Sequence, residues 1–185
     1  NSSAWPSSAF ACGNNTMFFS LENALWKSDG SASGTAKIKS IPNVSYLNEF
    51  QIVGDVLIFN ATKSINTNIK ETRHAITTEI AEYDVYISDG SSEGSHLLQK
   101  REMLRQATFF KNNIIFYSND LCKYDLKSSK PDLKKIPNGV NIPLSPNNFC
   151  SINNRLLFFA STPANGKELW WLDDKLSKAE MLIDI

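Results

Sequence analysis

The 185-residue sequence predicts an all-β fold, and three observations support this prediction. Short apolar runs rich in Phe, Ile, Leu and Val alternate with turn-forming pairs such as Asn14-Asn15 and Asp29-Gly30. The same succession of runs and turns recurs four times along the chain. The apolar runs are also far shorter than the roughly 18 residues of a membrane-spanning helix.

The fourfold repeat determines the predicted architecture. The four segments begin at Phe10, Phe50, Thr108 and Phe149. Their first turns are expected at Asn14-Asn15, Gly54-Asp55, Asn112-Asn113 and Asn153-Asn154. Each segment also carries an aspartate at an equivalent later place: Asp29, Asp89, Asp125 and Asp173. Repeats of about 40 residues, each with four short strands, are typical of β-propeller blades.

The sequence therefore predicts a small four-bladed β-propeller of four-stranded antiparallel blades. We expect an N-terminal extension at 1–9 and a single domain at 10–185. The blades are expected near 10–41, 50–100, 108–136 and 149–185. A two-sheet sandwich would also contain short strands, but it gives no reason for four segments in register.

One motif resembles a known repeat family. The run from Ala24 to Thr35 is similar to the bacterial extracellular repeat Glu-Leu-Trp-x-Ser-Asp-Gly-Thr-x-x-Gly-Thr, which follows a Leu-Phe-Phe strand. The stretch from Asp84 to Ser95 is a second match, and Leu156 to Trp170 matches the strand and the Glu-Leu-Trp part. The third segment departs most, with Cys122 in the tryptophan position. The resemblance implies a propeller-like repeat without an assigned activity, and the four-blade size is similar to hemopexin-like domains.

The second segment is longer because of an insertion between Ala61 and Tyr83. This stretch is long for a plain connection, and irregular loops on a rigid framework are common binding sites. The sequence leaves two structures open, a short helix near 75–82 or an outward extension of the hairpin. The expected binding residues are Arg73, His74, Glu79 and Tyr83 in the insertion, together with Trp171.

Other chemistry is better explained by structure. The repeated aspartates could suggest calcium, but they lie one per segment, and an aspartate at a turn usually accepts hydrogen bonds from the next backbone amides. His74 and His96 lack a nucleophile motif nearby. No metal site, cofactor or catalytic residue is therefore expected.

The aromatic and cysteine positions also have structural interpretations. Trp26 and Trp170 are equivalent, with Tyr86 in register, and we expect these rings to fill the space between blades rather than stack on sugars. Cys122 is expected to be a small buried residue. Cys12 and Cys150 lie on the first strands of the first and last segments, where a disulfide would fasten a closed ring. Buried free thiols are the alternative.

The composition limits the functional classes. There are 19 basic and 19 acidic residues, so the chain lacks the excess of basic charge typical of nucleic-acid binding. The start at Asn1, without methionine, fits either a processed product or a recombinantly expressed segment. A removed secretory signal would explain this start, and we expect a protein that is secreted or exported. We expect a non-enzymatic module that binds another protein through its irregular loops. A lectin is the alternative, and a hydrolase or a purely structural fragment of a larger surface protein remains open.

Overall fold

The fold is all-β. The computed structural model describes residues 10–71, 74–127, 133–136, 144–162, 166–173 and 175–183, with the backbone alone at 64–71, 74–80, 144–145 and 162. The chain divides into two compact units, Asn1–Met103 and Leu104–Ile185. Each unit contains two four-stranded antiparallel sheets. No helix in the described ranges is long and apolar enough to cross a membrane.

The first unit contains sheets 1 and 2. Sheet 1 consists of β1 (Phe10–Gly13), β2 (Thr16–Leu21), β3 (Ala24–Ser28) and β4 (Ala36–Ser40). Sheet 2 consists of β5 (Tyr46–Val53), β6 (Val56–Glu71), β7 (His74–Ser88) and β8 (His96–Gln99). In both sheets each strand pairs with the strand that follows it in the sequence.

The second unit contains sheets 3 and 4, with the same connectivity. Sheet 3 consists of β9 (Gln106–Phe110), β10 (Asn113–Tyr117), β11 (Leu121–Asp125) and β12 (Leu133–Lys135). Sheet 4 consists of β13 (Leu144–Ile152), β14 (Arg155–Thr162), β15 (Gly166–Leu172) and β16 (Ala179–Ile183). The four predicted four-stranded antiparallel segments are thus confirmed. Their assembly into one propeller, and the single domain at 10–185, stay predictions.

The tight turns between the first two strands of each sheet follow from residues that tolerate positive φ. Asn14 and Asn15 have φ values of 51° and 57°, and Asn153 and Asn154 have 47° and 62°. Asparagine adopts this left-handed conformation more readily than other non-glycine residues. In sheet 3 the turn lies one residue earlier than predicted, at Lys111 (49°) and Asn112 (62°). There the Asn113 side chain donates a hydrogen bond to the Lys111 carbonyl at 2.9 Å.

Each sheet has two faces, which we name from its second strand. The front face carries Phe19, Phe59, Phe116 or Phe158, and the back face carries Phe18, Ile58, Ile115 or Leu157, because successive strand residues point to opposite sides. In the first unit, the back face of sheet 1 packs on the front face of sheet 2. This core includes Phe18, Leu25 and Ile38 from sheet 1 and Leu57 and Phe59 from sheet 2.

The second unit repeats the same arrangement. The back face of sheet 3, with Ile115 and Leu121, packs on the front face of sheet 4, with Leu156, Phe158 and Trp170. The predicted inter-sheet role of Trp170 is confirmed, since only 2% of its surface is exposed. Tyr86 also packs against the core of the first unit. Trp26 instead stacks on Phe19, on the front face of sheet 1.

The predicted disulfide between Cys12 and Cys150 is not formed. Its physical basis was adjacency of the first strands of sheets 1 and 4. The first strand of sheet 1 meets sheet 2, where a Cβ on Gly13 would lie 2.9 Å from the Ile52 side chain. The first strand of sheet 4 meets sheet 3, through a 3.1 Å bond from the Asn148 amide to Gln106. Cys12 and Cys150 are exposed, not buried as the alternative held, and Cys122 is buried as predicted.

Candidate functional site

The four repeated aspartates lie where the loop between the third and fourth strands of each sheet begins. Asp29 Oδ1 accepts hydrogen bonds from the Ser31 amide at 2.9 Å and from the Ser31 hydroxyl at 2.7 Å. Asp89 accepts the same pair from Ser91, at 2.8 and 2.7 Å. Asp125 accepts from the Lys127 amide, and Asp173 from the Ser177 amide and hydroxyl. The predicted structural role of these aspartates, which open a turn and accept hydrogen bonds from the backbone amides that follow, is therefore confirmed.

Two glycines complete the loops of sheets 1 and 2. Gly34 and Gly94 lie against the aspartate carboxylates, and a Cβ on either would come within 2.2 Å of carboxylate atoms. The Gly34 and Gly94 amides donate hydrogen bonds to the hydroxyls of Ser31 and Ser91, each at 2.9 Å. A glycine at this place in the repeat is thus required by close packing against the carboxylate.

These loops predict an acid-sensitive fold. The Ser31 hydroxyl holds the pKa of Asp29 below its usual range, and the Ser91 hydroxyl does the same for the pKa of Asp89. Burial raises the pKa of Asp173, but the bonds from Ser177 and the charges of Lys175 and Lys123 together outweigh it, so the net direction is downward. A carboxyl whose pKa is depressed on folding contributes stability above its unfolded pKa of about 3.9, and this stability is lost as the pH falls through the folded pKa.

We therefore expect the urea midpoint to decrease progressively below about pH 5. In Asp89→Asn the urea midpoint should fall less steeply with decreasing pH than in the wild type, because one carboxyl with a lowered pKa has been removed. Ser92→Ala, which keeps every carboxylate, is the matched control and should follow the wild-type curve. Identical acid slopes for Asp89→Asn and the wild type would contradict this assignment.

The insertion forms a long two-stranded ribbon. Strands β6 and β7 pair continuously from Leu57↔Ser88 to Glu71↔His74. The neighbouring strand β5 pairs with β6 only as far as Thr62, and β8 pairs with β7 only from Val85. In the described backbone, residues 63–71 and 74–82 therefore pair only with each other, and this ribbon extends about 30 Å. The hairpin alternative is confirmed, and the helix near 75–82 is wrong.

The register places two different rows of residues along the ribbon. One row contains the pairs Ile65↔Ile80, Thr67↔Thr78 and Ile69↔Ile76. The other contains Ser64↔Ala81, Asn66↔Glu79 and Asn68↔Thr77. Because alternate strand positions lie on opposite faces, the isoleucine positions share one face and the polar positions share the other. This period-two pattern is visible in the sequence and is the signal that would predict the ribbon.

An ion pair holds the base of the ribbon. Lys63 Nζ lies 2.5 Å from the Asp84 carboxylate, which is buried. The same carboxylate accepts a hydrogen bond from the Arg101 amide at 3.0 Å. Burial, assisted by the Asp84 charge, raises the pKa of the adjacent Tyr86. These contacts join the ribbon to the end of sheet 2.

The predicted binding residues do not form one cluster. Arg73 lies outside the described residues. His74 pairs with Glu71 at the far end of the ribbon. Glu79 pairs with Asn66, at positions on the opposite face of the ribbon. The side chains of His74 and Glu79 lie outside the described part of the structure. Tyr83 is half-buried at the base, where it pairs with Thr62. Tyr83 lies nine positions further along the strand than His74, a distance of about 30 Å.

Trp171 belongs to a separate surface in the second unit. The Arg155 guanidinium lies 4.4 Å from the centre of its ring, within the range of a cation–π interaction. Two shallow clefts adjoin this pair. One, of about 350 Å³, is lined in part by Ile152, Leu157 and Leu182, and the other, of about 300 Å³, by Asn154 and Asp173. Sequence analysis had not singled out Arg155.

Comparisons with known proteins give little guidance. No family model matches the sequence, and no curated protein matches it. Among solved structures, the chain is similar to a mutant of the GH43 protein BlXynB from Bacillus licheniformis, with 9% identity and a TM-score of 0.38, over 95% of this chain and 41% of that chain. It is also similar to the AfRom2 CNH domain, with 7% identity and a TM-score of 0.30, over 96% of this chain and 84% of that chain. The chain thus spans about two fifths of the BlXynB chain, and at these TM-scores neither likeness carries an argument.

Proposed function

We propose that the chain is a secreted or exported, non-enzymatic module built from propeller blades, and that it binds another protein through the β6–β7 ribbon. The ribbon, residues 63–71 and 74–82, carries this proposal. The ribbon extends beyond the four-stranded part of sheet 2. Its strands β6 and β7 have 16 and 15 residues, whereas the other described strands have at most nine.

The energetics of the ribbon favour a partner. A two-stranded hairpin is at best marginally stable in water, because it cannot bury a face by itself. The base is fixed by the buried Asp84 and its bonds to Lys63 and Arg101, so the ribbon leaves the sheet from a rigid anchor. A docked protein would supply the missing burial along its length.

The isoleucine row indicates the chemistry of that partner. It contains Ile65, Ile69, Ile76 and Ile80, and it ends in the polar pairs Lys63↔Glu82 and Glu71↔His74. We infer that the partner offers an apolar surface, bordered by polar groups that match these ends. His74 is then at the rim of the contact, while the polar face with Glu79 remains in water.

The arrangement of the sheets supports the assignment as propeller blades. Every sheet consists of four consecutive antiparallel strands. In both units a back face packs on the front face of the following sheet. Successive face-to-face packing of such meanders is how propeller blades bury their cores.

The test compares the intact chain with a variant that lacks the ribbon. Residues 64–81 are replaced by Asn-Gly, so that Lys63 and Glu82 close a two-residue hairpin turn and the Asp84 anchor is kept. Circular dichroism and thermal melting first establish that both proteins are folded. We expect proteins from extracellular and cell-surface extracts to be retained by the immobilised intact chain and lost from the shortened one.

Two point variants assign the binding face. Ile69→Lys should abolish retention of those proteins, whereas Asn68→Lys, its neighbour on the polar face, should leave it unchanged. Equal retention by the intact and shortened chains would overturn the proposed site. Binding to a glycan array instead of to proteins would favour the lectin alternative.

A further inference from the structure

One side of the ribbon is a strand edge of defined length. Strand β5 pairs with β6 only as far as Thr62, and in the described backbone residues 63–71 pair with β7 alone. We call the side of residues 63–71 that faces away from β7 the β6 edge. A row of unpaired N–H and C=O groups at such an edge is a template for a further strand.

The backbone groups that face the β6 edge follow from one hydrogen bond. The Thr62 carbonyl accepts from the Ser45 amide at 2.7 Å, on the side of β5, so this carbonyl points away from β7. Inter-strand bonding groups alternate between the two sides of a strand, and the pairing of β6 with β7 has no register shift. The residues of the ribbon whose N–H and C=O groups face the β6 edge are therefore Ser64, Asn66, Asn68 and Lys70.

The β6 edge lacks the features that usually prevent strand addition. Natural edge strands are protected by prolines, bulges, short length or charged residues. The segment 63–71 contains no proline, and residues 64–69, Ser-Ile-Asn-Thr-Asn-Ile, contain no charge. Strand β7, on the other edge of the ribbon, carries Glu79 beside the centre of 74–82. The β6 edge is therefore the more favourable of the two for a further strand.

The β6 edge is complementary to itself. When two copies are aligned antiparallel so that each covers the other from residue 63 to residue 71, Thr67 lies opposite Thr67 and Ile65 lies opposite Ile69. The remaining opposed positions are Ser64 with Lys70 and Asn66 with Asn68. In both of these pairs the backbone groups of the two residues face each other, so each pair exchanges two hydrogen bonds. A shift by one residue would lose this match.

Charge favours the same register. Lys63 lies opposite Glu71 of the second copy at both ends of the alignment, so unlike charges face each other. Lys63 also binds Asp84 of its own chain, but an ammonium group has three N–H donors and retains donors beyond that bond. A shift by two residues in either direction would place Lys63 or Glu71 opposite an isoleucine position instead.

We propose that two copies of this chain pair through their β6 edges, about a two-fold axis at Thr67, and so join two ribbons into one four-stranded antiparallel sheet. A second copy is the occupant because the edge matches itself in length, in hydrogen-bonding groups and in charge. The four-stranded parts of the two copies of sheet 2 then lie at opposite ends of the paired ribbons. The isoleucine positions of both copies share one face of the new sheet, because opposed residues lie on the same side.

The pairing uses the edge of the ribbon, whereas the proposed protein partner contacts its isoleucine face. The mass of the purified chain alone tests the pairing, and retention of other proteins tests the proposed function, so either can fail without the other. Light scattering and native mass spectrometry should give twice the chain mass of 20.7 kDa. The shortened chain, in which Asn-Gly replaces 64–81, should be monomeric. A monomeric intact chain at every soluble concentration, or a dimeric shortened chain, would overturn the pairing.

Two proline variants distinguish the edges of the ribbon. Asn68 pairs with Thr77, and the N–H groups of these two residues face opposite edges. Neither N–H takes part in the pairing of β6 with β7, so proline at either position keeps the hydrogen bonds inside the ribbon. Asn68→Pro should raise the dissociation constant at least about tenfold, because it removes the bond to Asn66 on both sides of the two-fold axis.

Thr77→Pro is the matched control and should remain dimeric. Circular dichroism establishes that both proline variants are folded. If Asn68→Pro associates as tightly as Thr77→Pro, or more tightly, the assignment to the β6 edge is wrong.

A cysteine at the two-fold axis tests the register directly. Opposed residues that do not exchange hydrogen bonds have Cα atoms about 4.5 Å apart, within the range that a disulfide spans. In a chain with serine in place of the exposed Cys12 and Cys150, Thr67→Cys should give a covalent dimer on mild oxidation. Thr78→Cys, on the neighbouring strand of the same ribbon, should not. No link from Thr67→Cys, or a link from Thr78→Cys, would overturn the proposed register.

Discussion

Replacing Trp170 with alanine is expected to lower the free energy of unfolding by roughly 3–5 kcal/mol. The side chain is 2% exposed and lies in the core between sheets 3 and 4, with Leu156, Phe158 and Leu172. Removing it deletes a large apolar surface and leaves a cavity that the paired strands on either side cannot readily fill. Urea titration followed by circular dichroism measures the change.

The equivalent tryptophan of sheet 1 provides the control. Trp26 occupies the same place in the repeat but is only half-buried, stacked on Phe19 with the ring centres 6.2 Å apart. Trp26→Ala should cost less than half as much as Trp170→Ala. Equal losses from the two replacements would contradict the difference in burial between the two rings.

A second loss is expected for Gly94→Ala, of roughly 0.5–2 kcal/mol. The new Cβ would lie 2.1 Å from the Asp89 carboxylate, so the carboxylate must leave its place. It would then give up its bonds from the Ser91 amide and hydroxyl. Thermal and urea unfolding measure this loss, with Ser92→Ala in the same loop as the control.

A double-mutant cycle isolates the cause of this effect. In Asp89→Ala the carboxylate is absent, so adding Gly94→Ala no longer creates the clash. The double variant should therefore be more stable than the sum of the two single losses predicts, since residues in direct contact do not act additively. Simple additivity would show that the glycine serves the loop in some other way.

The strand content of the fold was predictable because it depends on local patterns that repeat. The turns at Asn14-Asn15 and Asn153-Asn154 require positive φ, which asparagine tolerates, and the structure has them where expected. In sheet 3 the turn lies one residue earlier than this preference predicts. The turn begins at Lys111, which adopts positive φ because the strand pairing Asn113↔Phe110 leaves only two residues between the strands.

The candidate sites were less predictable, because they depend on register and on what lies beside each strand. The positions of His74 and Glu79 were assigned to one loop, but their separation across the ribbon appears only once Glu71 pairs with His74. Trp171 was singled out, whereas its partner Arg155 lies 16 residues earlier and meets it only through the pairing of β14 with β15. The Cys12–Cys150 disulfide was predicted from closure of a ring, which no local pattern in the sequence reports, and both thiols are free.

The connectivity of the sheets has a consequence for how the chain folds. Every described strand pair joins two strands that are consecutive in the sequence, so each pairing closes only a short loop. Closing short loops costs little conformational entropy, and β-proteins with such local pairings are expected to fold faster than Greek-key sandwiches of similar size. Each meander can therefore form while the rest of the chain is still being synthesised, and the slow step is the docking of completed sheets.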